Sequence, residues 1–173
     1  MLLFSGCGLL HSKGLYKIND EDEILRNTAD IIIDAFTSKS KEKLIDIMSK
    51  EALNTSDFDD GFNYCCDLLA DGITNVEQKG CPISGHIEKD KSWRKSNASF
   101  NITTSSGMEY NLYFEYWFEN EAGDGKLGVN RIRIVDLVEA LEDPNYKPGR
   151  LYERSGIYTP EWDAENQEQA YSD

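Results

Sequence analysis

The sequence predicts an α+β domain in which N-terminal helices pack on a strongly curved antiparallel sheet. Apolar residues recur at helical spacing up to about residue 72, and they alternate with a period of two from there to residue 138. Helices followed by a run of neighbouring strands are typical of α+β folds. The 173 residues fit one domain of ordinary size. A domain of that size buries about 70% of its unfolded surface and needs no metal or disulfide to form a core.

Three helices are predicted, each from a polar capping residue with an apolar stripe behind it. Asn19 is the expected N-cap of the first helix, and acidic residues fill the following turn, where they suit the positive helix end. Ser38 or Ser40 is expected to cap a short second helix. Asp57 is expected to cap a third helix, which Gly72 ends. The residues at helical spacing are Ile24, Leu25, Thr28, Ile32, Ala35 and Phe36, then Leu44, Ile47 and Met48, then Phe58, Phe62, Cys65 and Leu69.

The strands are predicted from alternation of apolar and polar residues. We expect a weak strand over 83–88, a longer one over 93–104, the clearest one over 109–119, and a last one over 129–138. A Ser-Ser-Gly turn at 105–107 joins the second strand to the third. The residues of the clearest strand expected to face the core are Tyr110, Leu112, Phe114, Tyr116 and Phe118.

Four segments are expected along the chain. They are a processed leader ending in a modified cysteine (1–7), a tether (8–18), the α+β domain (19–142) and an irregular tail (143–173). Prolines and glycines mark the tail, and we expect part of it to pack on the sheet. Its aromatic residues could instead line a protein-binding patch, because Tyr and Trp dominate such sites. They are Tyr146, Tyr152, Tyr158 and Trp162.

The first residues, MLLFSGCG, place the small Ser5 and Gly6 directly before Cys7 and behind a short apolar run. This arrangement resembles the end of a bacterial lipoprotein signal peptide and its lipobox, whose cysteine carries the lipid. Phe4 stands where an aliphatic residue is usual, and the run is shorter than the roughly 7–15 apolar residues of a secretory signal. The leader would then start upstream of Met1. The resemblance implies lipidation of Cys7 and a position on the extracytoplasmic face of the cell membrane.

The charge balance disfavours several partners. Eighteen Lys and Arg against thirty-two Asp and Glu leave a net charge of −14. Such a chain is poorly suited to nucleic acid, whose binding needs clustered basic residues, or to electrostatic binding of anionic lipid. A basic partner, or simply high solubility, remains compatible with the charge.

The sequence predicts no cofactor and no metal site. His86 is the only histidine within 19–142, and no C-x-x-C pair occurs. The glycines at 123–128 match a dinucleotide fingerprint by letters only, because a strand follows them instead of a helix. The adjacent Cys65 and Cys66 are expected to be small core residues, although one of them could pair with Cys81 in an oxidising compartment.

The order of elements resembles the nuclear transport factor 2-like, or cystatin-like, cone. More narrowly, the chain resembles an uncharacterised group of Gram-positive lipoproteins, domain of unknown function 5104. Besides the lipobox, the matching pieces are Ala29 to Phe36, KSKEKL (39–44), YNL (110–112), GVNRI (128–132) and GIYTP (156–160). The resemblance implies a fold but no activity, so it assigns no functional residues.

The cone fold usually leaves a pocket between helices and sheet, and we expect one face of the clearest strand to line it. That face carries Tyr113, Glu115 and Trp117, a carboxylate within an aromatic wall. In such a wall the pKa of Glu115 would be raised, and the group could act as a base. The alternative is that Glu115 is solvated and that only the opposite face of the strand is buried.

Three functions remain open, since no sequence signature marks a catalytic residue. The first is a non-catalytic domain that binds a protein, a peptide or a small apolar molecule. The second is a small enzyme of isomerase or dehydratase type, in which Glu115 or another buried acid works with a pocket tyrosine. The third is an immunity protein, whose acidic surface would suit a basic toxin.

Overall fold

The computed structural model describes residues 11–87, 91–142 and 154–159, which form an α+β fold around one six-stranded sheet. A single turn of 3-10 helix lies between the fourth and fifth strands. The elements in chain order are α1 (His11–Thr37), α2 (Lys41–Ile45), α3 (Lys50–Leu53), α4 (Phe58–Leu68), β1 (Ile73–Gly80), β2 (Ile83–His86), β3 (Trp93–Thr104), β4 (Glu109–Asn120), the 3-10 turn (Asp124–Lys126), β5 (Gly128–Asp136), α5 (Leu137–Glu142) and β6 (Gly156–Ile157).

The sheet is mixed and does not close. Its order is β1-β3-β4-β5-β6, and β2 pairs with the beginning of β3. The pairings from β1 to β5 are antiparallel, whereas β6 pairs with β5 in parallel. The expectation of a wholly antiparallel sheet is therefore wrong at this edge. A two-residue strand that returns to the sheet from a distant part of the chain leaves no local alternation by which it could be foreseen.

The core lies between one face of the sheet and the helices. Phe36 of α1 packs against Phe62 of α4 with ring centroids 5.6 Å apart, and Phe100 stacks on Phe114 at 5.9 Å. The core residues of the three long strands are Ala98, Phe100, Ile102, Tyr110, Leu112, Phe114, Val129, Ile132 and Ile134, and Tyr116 and Phe118 pack partly buried against them. The predicted core face of β4 is thus confirmed.

The opposite face of the sheet is polar, yet it is also buried. Asn111, Tyr113, Glu115, Arg131 and Arg133 are each no more than 7% exposed. Buried polar groups need partners, because an unpaired one costs about 1–3 kcal/mol. This face therefore contains the hydrogen-bonded groups that are described below.

The first helix starts earlier than predicted. It already includes His11, so Asn19 lies inside α1 instead of capping it, and residues 11–18 of the expected tether are helical. A capping side chain favours a helix start, but it does not stop a helix whose preceding residues can also adopt helical geometry.

The predicted second helix is divided in two. Ser40 is the N-cap of α2, although its side chain makes no capping hydrogen bond, and α2 ends at Ile45. Met48 then forms a parallel bridge to Val129. Ser49 caps α3, and its Oγ accepts a hydrogen bond from the backbone N–H of Ala52 at 3.1 Å.

The third predicted helix and the two long strands are confirmed. Asp57 is the N-cap of α4, and Gly72 follows that helix with a φ of 78°. β3 and β4 span the predicted ranges to within one residue. The last long strand ends at Asp136 and not at Val138, because Asp136 accepts hydrogen bonds from the backbone N–H groups of Val138 and Glu139 at the start of α5.

The described part of the tail, residues 154–159, packs on the domain. Ile157 and Tyr158 are 2% and 3% exposed. Gly61 of α4 lies so close to Ile157 that a Cβ at position 61 would be 2.4 Å from the Ile157 carbonyl oxygen. Cys7 and the rest of the leader lie outside the described residues, as do Tyr146, Tyr152 and Trp162.

The cysteines that the structure describes are free thiols. Cys65 and Cys66 are buried in α4, and Cys81 is half-buried between β1 and β2. Burial raises the pKa of the thiol at all three positions. In the described residues, no helix is long and apolar enough to cross a membrane.

Candidate functional site

The candidate site lies at the end of the sheet where β4 runs into the loop before β5. Across the β3–β4 pair, Lys95 is opposite Trp117 and Asn97 is opposite Glu115. On the other side of β4, Glu115 pairs with Arg131. Residues that are opposite each other in a sheet point to the same face. Glu115 and Trp117 of β4 therefore lie beside the basic side chains of Lys95 and Arg131.

Glu115 is buried and accepts several hydrogen bonds. It is 1% exposed. Lys95 Nζ donates to its Oε2 at 2.6 Å, and Trp117 Nε1 donates to its Oε1 at 2.7 Å. Asn130 Nδ2 donates to Oε1 at 3.2 Å, and Arg131 Nε lies 3.5 Å from the same oxygen. The carboxylate is therefore fully partnered inside the protein.

This environment keeps Glu115 ionised. Burial by itself would raise the pKa of Glu115, but hydrogen bonds from Lys95 and Trp117, with the charges of Arg131 and Lys95, lower it below its usual value. The expected raised pKa is thus wrong, and so is the alternative of a solvated Glu115. The physical reason is the register of the sheet, which places basic side chains on both sides of the carboxylate.

Two tryptophans stand side by side next to this carboxylate. The ring centroids of Trp93 and Trp117 are 5.9 Å apart, and the ring planes are tilted by 50°. Lys95 Nζ lies 4.9 Å from the Trp117 centroid and 5.9 Å from that of Trp93. Lys126 Nζ lies 5.4 Å from the Trp117 centroid. These distances are within the range of cation–π attraction.

An open pocket of about 400 Å³ lies against the tryptophan pair. This volume is in the range of small-ligand sites, roughly 300–1,000 Å³. We call it the tryptophan pocket; its lining residues are Glu51, Trp93, Trp117, Asn120, Ala122, Gly123, Gly125 and Lys126. It combines an aromatic wall with one acidic, one basic and one amide side chain.

The rim of the tryptophan pocket is held by contacts between α3 and the loop before β5. Lys50 forms an exposed ion pair with Asp124 at 2.5 Å. Gly125 lies against Glu51, and a Cβ at position 125 would be 3.0 Å from Glu51 Oε1. Glu51 Oε2 accepts a hydrogen bond from Ser155 Oγ at 3.2 Å. The absence of a side chain at Gly125 therefore lets the loop approach Glu51.

A second set of hydrogen bonds joins α3 to the buried carboxylate. Ser49 Oγ, which caps α3, donates to Asn130 Oδ1 at 2.8 Å. Asn130 in turn donates to Glu115, which holds the indole N–H of Trp117. The backbone position of Glu51 and the orientation of Trp117 thus depend on one connected polar network.

The predicted pocket residues share a face but not a cavity. Tyr113 is 7% exposed and does not line the tryptophan pocket, and Glu115 is enclosed beside it. Trp117 is the one member of the predicted set that lines the tryptophan pocket. His86 is exposed on β2. In the part of the chain that the structure describes, no group of His, Cys, Asp and Glu side chains could hold a metal ion.

Four residues of the tryptophan pocket were not predicted from the sequence; they are Trp93, Glu51, Asn120 and Lys126. A signal for Trp93 did exist. The 105–107 turn sets the β3–β4 register, and counting back from it places Lys95 opposite Trp117 and Trp93 close by. Glu51 and Lys126 lie in a four-residue helix and a single 3-10 turn, whose packing has no sequence periodicity to reveal it.

Most of the chain matches a known protein family. A family model described as Domain of unknown function (DUF5104) matches residues 31–138. The matched region runs from the last two turns of α1 to the start of α5 and includes the tryptophan pocket. No curated protein matches the chain.

Proposed function

The chain belongs to the DUF5104 domain family, and for this member we propose a non-catalytic domain that binds a small ligand in the tryptophan pocket. The family description carries no activity, so the proposal rests on the site. The observation that carries it is the open cavity of about 400 Å³ with two indole rings in its wall and polar side chains at its rim. Such a combination of apolar wall and few polar groups is typical of binding sites.

Binding is better supported than proton-transfer catalysis. A general base needs a lone pair that can reach the substrate. Both carboxylate oxygens of Glu115 already accept hydrogen bonds inside the protein, and the side chain is 1% exposed. Its lowered pKa also makes it a weak base. The role that fits Glu115 is to hold Trp117 and Lys95 in position.

We further propose that the domain is a lipoprotein with a nuclear transport factor 2-like cone. Helices on one face of an open sheet support the cone, and the MLLFSGC leader supports lipidation of Cys7 and a place on the outer face of a Gram-positive cell membrane. Membrane-fraction mass spectrometry tests the anchor. A diacylglycerol thioether on Cys7, lost together with membrane association in Cys7→Ser, is expected. A soluble protein with an unmodified Cys7 thiol would contradict it.

The binding function is tested by following the indole signals of the full chain. The chain contains three tryptophans, so Trp162→Phe leaves only the two of the site as reporters. A panel of neutral sugars, amino acids, short peptides and apolar small molecules is titrated against this variant. We expect at least one compound to shift the indole NMR resonances of Trp93 and Trp117 saturably. If no compound does so, the tryptophan pocket is not a small-ligand site.

A further inference from the structure

We infer that the tryptophan pocket takes a neutral sugar ring, an inference that rests on the binding function proposed above. The wall of the pocket points to this ligand class first. An indole face carries partial negative charge. The C–H bonds on one face of a pyranose ring are weakly positive, so a sugar ring fits flat against an indole. Trp93 and Trp117, with ring centroids 5.9 Å apart and planes tilted by 50°, form an angled aromatic wall. Two ammonium groups lie over Trp117, so the sugar ring is expected to lie against Trp93.

The charges at the site favour a neutral ligand. Lys95 is already paired with Glu115. Of the residues that line the pocket, Glu51 carries one negative and Lys126 one positive charge. A cation would meet Lys95 and Lys126, which already lie over the Trp117 ring at 4.9 and 5.4 Å. An anion would meet Glu51 and the field of a chain with net charge −14.

The polar groups at the rim match hydroxyls. A hydroxyl both donates and accepts hydrogen bonds. Glu51 accepts, Lys126 donates, and the amide of Asn120 does both. Glu51 already accepts a hydrogen bond from one hydroxyl, that of Ser155, at 3.2 Å. A ring with an apolar face and hydroxyls around its edge can therefore satisfy the wall and the rim together.

The test is calorimetric titration of the full chain with neutral tetrasaccharides of glucose and of N-acetylglucosamine. Galacturonate and glucosamine oligomers serve as charged counterparts, and a dipeptide series serves as the non-sugar arm. Trp93→Ala is the main variant, because Trp117 also holds Glu115 and its removal would disturb the fold. Trp93→Phe keeps a ring, and Val138→Ala on α5 is the control, an exposed apolar position away from the tryptophan pocket.

At least one neutral tetrasaccharide is expected to bind. Trp93→Ala should weaken it about tenfold or more, as expected for a central aromatic contact, with Trp93→Phe and Val138→Ala close to wild type. Lys126→Met should weaken binding of the neutral sugar by up to about tenfold, because it removes one hydrogen-bond donor at the rim. Retained unfolding midpoints show that these variants still fold.

Two results would overturn the inference in different ways. If the charged oligomers or dipeptides bind in a Trp93-dependent manner and the neutral sugars do not, the sugar assignment fails but the binding function stands. If no compound of any arm binds, or if Trp93→Ala leaves the affinity unchanged, both the sugar assignment and the binding function at this site fail.

Discussion

The ammonium group of Lys95 lies 2.6 Å from a carboxylate oxygen of Glu115, and the two side chains are 24% and 1% exposed. A pair of this kind is costly to break on one side only, because the remaining charge stays in a poorly solvated place. In this protein the pair also contacts Trp117, whose indole N–H donates to Glu115 and whose ring lies 4.9 Å from Lys95 Nζ. Its loss should therefore be visible in both stability and binding.

Replacing Lys95 with Met should lower the free energy of unfolding by about 3 kcal/mol, because it leaves the buried Glu115 carboxylate without its closest cation. Urea unfolding followed by circular dichroism measures this. Lys43→Met is the matched control, since Lys43 pairs with Asp34 on the surface, where the side chains are 46% and 58% exposed. That change should cost less than about 1 kcal/mol. If both variants lose the same free energy of unfolding, the buried Lys95–Glu115 pair contributes no more to stability than an exposed ion pair.

Stability should fall in acid partly through Glu115. Its pKa is lowered in the folded protein from the usual 4.5, so its contribution is complete above that value and is lost as the pH falls through the lower folded pKa. The free energy of unfolding between pH 5 and pH 2 should therefore decline less steeply in Glu115→Gln than in wild type. Parallel curves would mean that the carboxylate titrates alike in the folded and unfolded chains.

The capping network of α3 should matter more than the cap of α2. Ser49→Ala removes a capping hydrogen bond and the hydroxyl that donates to Asn130, so it should destabilise the protein by about 1–2 kcal/mol. Ser40→Ala is a matched control, because the Ser40 side chain makes no capping bond. Its effect on thermal unfolding should be much smaller. Ser49→Ala should also weaken any ligand bound beside Glu51.

Gly61→Ala should destabilise the protein although alanine favours helices. The helix propensity gain is at most about 1 kcal/mol, whereas the new Cβ would lie 2.4 Å from the carbonyl oxygen and 2.7 Å from the Cβ of Ile157. Overpacking of this kind costs about 1–3 kcal/mol. Denaturant unfolding measures the net loss, and Asn63→Ala on the exposed side of α4 should be neutral or stabilising. A Gly61→Ala variant more stable than wild type would show that β6 can move away from the new Cβ without a loss of stability.

The elements that the sequence predicts well are those whose signals are local. β3 and β4 alternate over twelve residues each and are joined by a turn, and α4 has an apolar stripe between a polar cap and a glycine. β6 and α3 have two and four residues and depend on contacts with distant parts of the chain. Such short elements carry too few residues for any period to be recognised.

The site was predictable only in part, for a related reason. Alternation along β4 correctly groups Tyr113, Glu115 and Trp117 on one face. What surrounds them depends on pairing with β3 and β5, where irregularities shift the register between Arg94 and Lys95 and between Glu115 and Tyr116. The cations beside Glu115, Lys95 and Arg131, stand on these neighbouring strands, so the direction of its pKa change could not be read from alternation along β4 alone.

Two short segments cover the outer edge of β5. Met48 bridges to Val129, and Gly156–Ile157 pairs with Arg131 and Ile132. A bare strand edge is a template for pairing with other molecules. The segment around Ile157 therefore also shields the sheet from intermolecular β-pairing, and a chain truncated before residue 154 would present that edge to its neighbours and tend to aggregate.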